Sequence, residues 1–310
     1  MPRLYGPIFS TADPAAHVTR LVDVFGMVAT GRTSAPGGDV VALQTPDTWA
    51  GAVVLRVRPT PASPVRDHHT RLDRDALRVV DFYAPDLDVA VAHARGLGYE
   101  VEASEASYEL AEGTFREAHL AGPDGTVTAL LSGPREFFTG FAQVRDRVVS
   151  EVCSISLPLG DAARSLAFYA EVLGWGVVYE YSFDDPSFSA MVGSSDRLRV
   201  RSSTVGPARD QPYLNLVDYG LPASASGSLL GRGGLDRRGL VGVVVTAQDL
   251  DAVRRRAEAH PGAGAAEPFE VDLAPFGATR AAVVTSPHEI VHVVVECVVE
   301  TPGLAPRMGF

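Results

Sequence analysis

Residues 153–181, CSISLPLGDAARSLAFYAEVLGWGVVYEY, decide how the chain folds. The opening residues alternate: Ser154 and Ser156 fall on one face, Cys153, Ile155 and Leu157 on the other. That is the period of a strand with one covered side. Asp161 then supplies an N-cap carboxylate, and Gly174 stops the helix that follows. The run after Gly174 is strand-like again.

The same order occurs elsewhere. "LYGPIFSTADPAAHVTRLVDVFGM" has Asp13 and Pro14 at the helix start and Gly26 at its end. "LRVVDFYAPDLDVAVAHARGLGYEVEA" has Asp86 as cap and Gly96 and Gly98 as stops, and "GVVVTAQDLDAVRRRAEAHPGAG" has Asp249. Alternating segments follow each helix, ending in "VVLRVR", "TVTALL", "RLRVR" and "IVHVVVE". The chain therefore reads as α+β: four βαβββ modules at roughly 1–60, 76–133, 150–204 and 238–298. Pairing neighbours gives an N-terminal domain (1–134), a linker helix (135–149), a C-terminal domain (150–300) and a tail (301–310). Whether modules pair within a chain or between chains stays open, and a homodimer is compatible with either. The Gly/Ser/Arg-rich stretch 222–239 reads as a flexible loop or a lid.

Composition narrows the function classes. Net charge is −11 with no basic patch, which speaks against a nucleic-acid partner. All 27 basic residues are arginine, so Schiff-base and P-loop lysine chemistry are excluded. Two cysteines make no disulfide framework and no Cys-x-x-Cys metal motif. No run approaches the roughly 18 apolar residues of a membrane span. The N-terminus lacks a signal-peptide build, so a cytoplasmic protein without membrane partners is expected.

The segments "DAARSLAFYAEVLGW" and "AGPDGTVTALL" resemble the vicinal oxygen chelate superfamily of glyoxalases, bleomycin- and fosfomycin-resistance proteins and extradiol dioxygenases. The resemblance covers nearly the whole chain and implies two domains with curved mixed sheets around open cavities. It also implies a metal held by first-strand and last-strand side chains. The matching first-strand positions here are Gly6, Val79, Ser154 and Gly242. The last-strand positions are Ala129 and either His292 or, one residue on, Val293. Such a set offers no three ligands, so no metal and no cofactor are expected.

Other residues then become candidates. Asp81 shares its strand face with Val79 and Tyr83, and a mid-strand carboxylate is either paired with an arginine such as Arg56 or Arg58, or a general acid or base. His292, with Val294 and Glu296 on its parity, is either a proton-transfer residue or a hydrogen-bonded wall histidine. "RLRVR" puts Arg197, Arg199 and Arg201 on one face, and Arg199 is the candidate anion fork. The expected catalytic residues are His292 and Asp81. Arg199, Tyr83, Ser154, Ser156 and Glu296 are the expected substrate-binding residues. Together they point to a metal-independent lyase-, cyclase- or isomerase-type enzyme acting on a small oxygenated, anionic molecule. The alternative is a non-catalytic small-molecule binding or resistance protein using aromatic walls. A metal-dependent dioxygenase or glyoxalase ranks below both.

Overall fold

Four aspartates start four helices. Asp13 accepts from the amides of Ala15 and Ala16, Asp86 from Val89, Asp161 from Ala163 and Asp249 from Ala252. Each carboxylate satisfies amides that have no partner inside the helix. These contacts belong to a computed structural model that describes residues 1–35, 38–56, 63–140, 142–143, 146–209, 211, 213–222 and 224–297.

The helices are α1 (Pro14–Asp23), α2 (Leu87–Gly96), the single turn α3 (Arg135–Phe138), α4 (Ala162–Phe168), α5 (Pro186–Met191) and α6 (Leu250–Ala259). A π-turn over Tyr169–Leu173 extends α4, and Gly174 closes it at φ +71°, where a side chain would be strained. The expected linker helix shrinks to α3. No helix among the described residues is long and apolar enough to cross a membrane.

Module one contributes β1 (Arg3–Thr11), β2 (Val28–Ala35), β3 (Gly38–Gln44) and β4 (Gly51–Arg56). Module two contributes β5 (Val79–Tyr83), β6 (Ala106–Leu110), β7 (Gly113–Ala121) and β8 (Val127–Ser132). Module three holds β9 (Val152–Pro158), β10 (Gly176–Phe183), β11 (Val200–Gly206) and β12 (Tyr213–Asp218). Module four holds β13 (Gly239–Ala247), β14 (Gly264–Ala265), β15 (Phe269–Leu273), β16 (Gly277–Thr285) and β17 (Val291–Glu296).

The modules do not pair as neighbours. One sheet runs β14-β16-β17-β13-β1-β4-β3-β2, with β15 on β16, and so joins modules four and one. The other runs β10-β11-β12-β9-β5-β8-β7-β6 and joins modules three and two. The expected division into 1–134 and 150–300 is therefore replaced by an inner pair nested inside an outer pair. Repeats of one strand pattern do not encode which copy is the partner, and adjacency along the chain misleads here. The seams are antiparallel: Ile8 faces Gly242 in one and Asp81 faces Ser154 in the other.

The helices and the convex sheet faces share one core. Phe25 stacks on Phe82 at 4.0 Å between ring centres, tying modules one and two. The Arg20 guanidinium reaches across to the Leu120 carbonyl (2.8 Å) and Thr128 Oγ1 (2.6 Å). Two further clusters fill the concave sides separately.

Both sheets curl until their edges meet. In the inner pair, Ser187 Oγ donates to the Ser107 carbonyl (3.0 Å), and Tyr108 stacks on Phe183 at 3.9 Å. In the outer pair, Thr33 Oγ1 donates to the Asp272 carbonyl at 2.6 Å. The 222–239 stretch is strapped down in its described part. Arg74 N donates to the Gly227 carbonyl and Leu229 N to the Arg74 carbonyl, both at 2.9 Å. Leu229 is buried against the concave face of the outer sheet.

Candidate functional site

The two concave faces differ in chemistry. That of the outer pair is packed with Tyr5, Ile8, Trp49, Val241, Leu229, Leu273 and Phe276. Its two first-strand positions are closed by backbone. A Cβ on Gly6 would overlap the Gly51 carbonyl, and one on Gly242 would lie 2.7 Å from the Val291 carbonyl. No side chain fits at either place, so neither position can supply a metal ligand.

The concave face of the inner pair is polar at its centre. Successive strands bring Tyr213, Ser154, Asp81, Ala129 and His119 into one row across β12, β9, β5, β8 and β7. Asp81 sits at the seam and is buried. Ser154 Oγ makes a short hydrogen bond to Asp81 Oδ2, and Ser156 Oγ lies 3.4 Å from the same oxygen. Asn215 Nδ2 in turn donates to Ser154 Oγ at 2.9 Å. One pair along, Glu117 accepts from His119 Nε2 (2.7 Å) on one oxygen and faces the Tyr108 hydroxyl (3.4 Å) with the other.

Burial, aided by the negative charge of Glu117, pushes the Asp81 carboxyl up to about 7. The two serine hydroxyls and the charge of Arg78 oppose that shift without cancelling it. Burial lowers the His119 imidazole and holds the Tyr108 phenol well above its usual range.

Arg78, Asp81, Tyr108, Glu117, Ser156, Tyr181, Phe188, Asn215 and Tyr219 line a cavity of about 40 Å³. That is room for about one water molecule. The Arg78 side chain is fixed by Nε to the Arg71 carbonyl (2.8 Å) and Nη1 to the Tyr219 hydroxyl (3.1 Å). Asn215 Oδ1 is buried without a hydrogen-bond partner among the described residues.

Asp81, Ser154 and Ser156, placed by the sequence reading in different domains, come together as one hydrogen-bonded unit. Arg58 and the side chain of Arg56 lie outside the described residues. Tyr83 shares their face but is buried under Phe138, its ring centre 4.0 Å away, and is part of the packing. Cys153 changes sides through a register shift in the β5–β9 seam and joins the concave cluster.

Three expected site residues lie elsewhere. His292 pairs with Val243 and Val284 and points to the helix side, where Nε2 meets the Tyr169 hydroxyl at 3.2 Å. Burial lowers it to about 4, so it is neutral. The concave neighbours are Val293 and Val295, so the strand register is shifted by one residue. Glu296 follows the same parity and faces Arg280 Nη1 (3.5 Å) and the Leu250 amide (3.5 Å) on α6.

Arg199 lies before β11 rather than within a last strand. Its side chain is 77% exposed and 3.8 Å from Asp184. Leu198 and Val200 face the concave cluster in its stead.

Glu117, His119, Arg78 and Asn215 were not foreseen. Their signal was the register: once Ala129 faces Asp81, His119 on the next strand must share that face.

Comparison with known proteins supports this architecture. Residues 152–275 match the family model described as Glyoxalase/Bleomycin resistance protein/Dioxygenase superfamily. That match covers less than half of the chain, so the chain is similar to that superfamily in fold. Glyoxalase I from Zea mays superposes with a TM-score of 0.65 at 15% identity, covering 96% of this chain and 92% of its own. A Bacillus subtilis protein provisionally described as a dioxygenase gives 0.56 at 12% identity, covering 94% of this chain and 84% of its own. Identities this low speak for the fold alone. The comparison with curated proteins gave no match.

The superfamily's metal is a separate question. Among the described residues, no group of three or more His, Cys, Asp or Glu side chains is placed to hold an ion. Ser154, Val79 and Ala129 occupy the inner-pair positions, and the nearby His119 nitrogen is engaged by Glu117. The donor set does not fit a divalent transition metal with three protein ligands.

Proposed function

We propose that the inner-pair cavity is the active site of an enzyme that moves a proton on a small oxygenated, anionic molecule without a metal. The reaction is of isomerase, cyclase or lyase type. The observation that carries this reading is the buried Asp81 carboxyl, raised to about 7 beside a second carboxylate. A carboxyl poised there can give a proton and take it back near neutrality. Glu117, held by His119, supplies an acceptor on the same cavity wall. Arg78 offers a fixed positive charge to a carboxylate or a developing enolate oxygen. Asn215 Oδ1, without a partner among the described residues, supplies an acceptor for a ligand's hydroxyl.

Reaction requires the cavity to widen. Tyr181, Phe183 and Phe188 form its aromatic side, and Phe188 rides on the short helix α5. These rings also support the competing reading, a binding protein that holds a planar molecule by stacking.

Proton exchange at carbon separates the two. In D2O, a panel of small 2-hydroxy and 2-oxo acids is followed by proton NMR with wild type, Asp81→Asn and Glu117→Gln. Catalysed loss of an α-proton signal in wild type, reduced at least a hundredfold in Asp81→Asn, supports the enzyme. Saturable binding without exchange, untouched by Asp81→Asn but weakened in Phe188→Ala, supports sequestration.

A further inference from the structure

A second cavity, of about 380 Å³, opens where the parallel strands β9 and β12 end. Arg74, Gly160, Asp218, Tyr219, Leu221 and Ser226 are among the residues lining it. Its volume lies in the range of small-molecule sites. It shares only Val217 and Tyr219 with the Asp81 cavity.

Arg74 is the unusual residue. Its backbone is fastened on both sides by the strap: its amide to Gly227 and its carbonyl to Leu229. The guanidinium is not fastened in the same way. Nη2 makes one long bond, 3.3 Å, to the Ser226 carbonyl, and Nε is buried with no hydrogen-bond partner. The acidic neighbour whose charge it feels, Asp75, engages its oxygens with His288 (2.8 Å) and Ser228 (2.5 Å) instead. Asp218, on the cavity wall, turns Oδ1 to the Gly220 amide at 2.8 Å. Among the described residues no carboxylate forms an ion pair with this guanidinium, and beside an open cavity it is a fork awaiting an oxyanion. The chain also makes room for it: a Cβ on Gly160 would overlap Arg74 Nη1.

We infer that this cavity is a binding site for a small oxyanion, a carboxylate or a phosphate, gripped by Arg74 and separate from the Asp81 site. Isotope-labelled protein is titrated with inorganic phosphate and, separately, with malonate, at constant ionic strength, following backbone amides by NMR. Saturable shifts at Gly160, Gly220 and Ser226 are expected with at least one probe, and the probe that binds names the source of the oxyanion. Affinity falls at least tenfold in Arg74→Gln and stays unchanged in Asp81→Asn. Gly160→Ala, which displaces the guanidinium while the backbone stays outside the left-handed region, gives the same loss and decides the matter if Arg74→Gln does not fold. Neither probe saturating by about 100 mM, or wild-type affinity retained in both Arg74→Gln and Gly160→Ala, overturns the site.

Discussion

A carboxyl whose affinity for protons rises on folding makes the folded state weaker as pH rises. Asp81 is raised from 3.8 to about 7, so its contribution is fully present below pH 4 and is lost through pH 7. Asp81→Asn should therefore melt higher than wild type at pH 8 and much less so at pH 4. The difference is on the order of a few kcal/mol, read by thermal unfolding across that window. His292 works the other way. Lowered from 6.5 to about 4, it must stay neutral in the fold, so stability present above pH 6.5 is lost as pH falls towards 4. His292→Gln should flatten this acid limb and leave the Asp81 titration and any turnover unchanged. These two residues also show what was legible. Asp81 could be placed because Val80 and Phe82 mark the opposite face of a five-residue strand. His292 could not, because β17 is apolar on both faces and its alternation carries no sign.

At the scale of the element, the capped helices were readable because an Asp followed by free amides is a local signal. Strand identity was less so. "RLRVR" alternates well, yet the chain enters β11 only at Val200, after α5 and a turn have intervened. Glycine positions show where elements approach too closely for side chains. Gly6→Ala should lower stability by more than about 2 kcal/mol in chemical denaturation, because the clash is with the Gly51 carbonyl rather than with a flexible chain end. Gly160→Ala meets only a side-chain tip and should cost well under about 1 kcal/mol.

At the scale of the molecule, β5 needs β9 and β1 needs β13. A fragment of residues 1–134 holds β1 and β5 without either partner. It should show no cooperative unfolding by circular dichroism, whereas residues 63–232 contain the whole inner sheet and its site and should unfold cooperatively. Cooperative melting of 1–134 would contradict the nested pairing. The four repeats were visible in the sequence, but their partners were not. Partner choice shows only across the seams, where Ile8 faces Gly242 and Asp81 faces Ser154, and no single repeat contains both sides of a seam.

Nested pairing also sets an order of assembly during synthesis. Once β12 has left the ribosome, the inner sheet has all its strands and can close. Module one has been outside since the start, with β1 buried in the final fold and its partner β13 still unmade. The first strand of the chain thus waits for translation of the last module, with its edge exposed to any other nascent chain. Slowing elongation after residue 218 should expose that wait as chaperone dependence or aggregation, while the inner sheet is already formed.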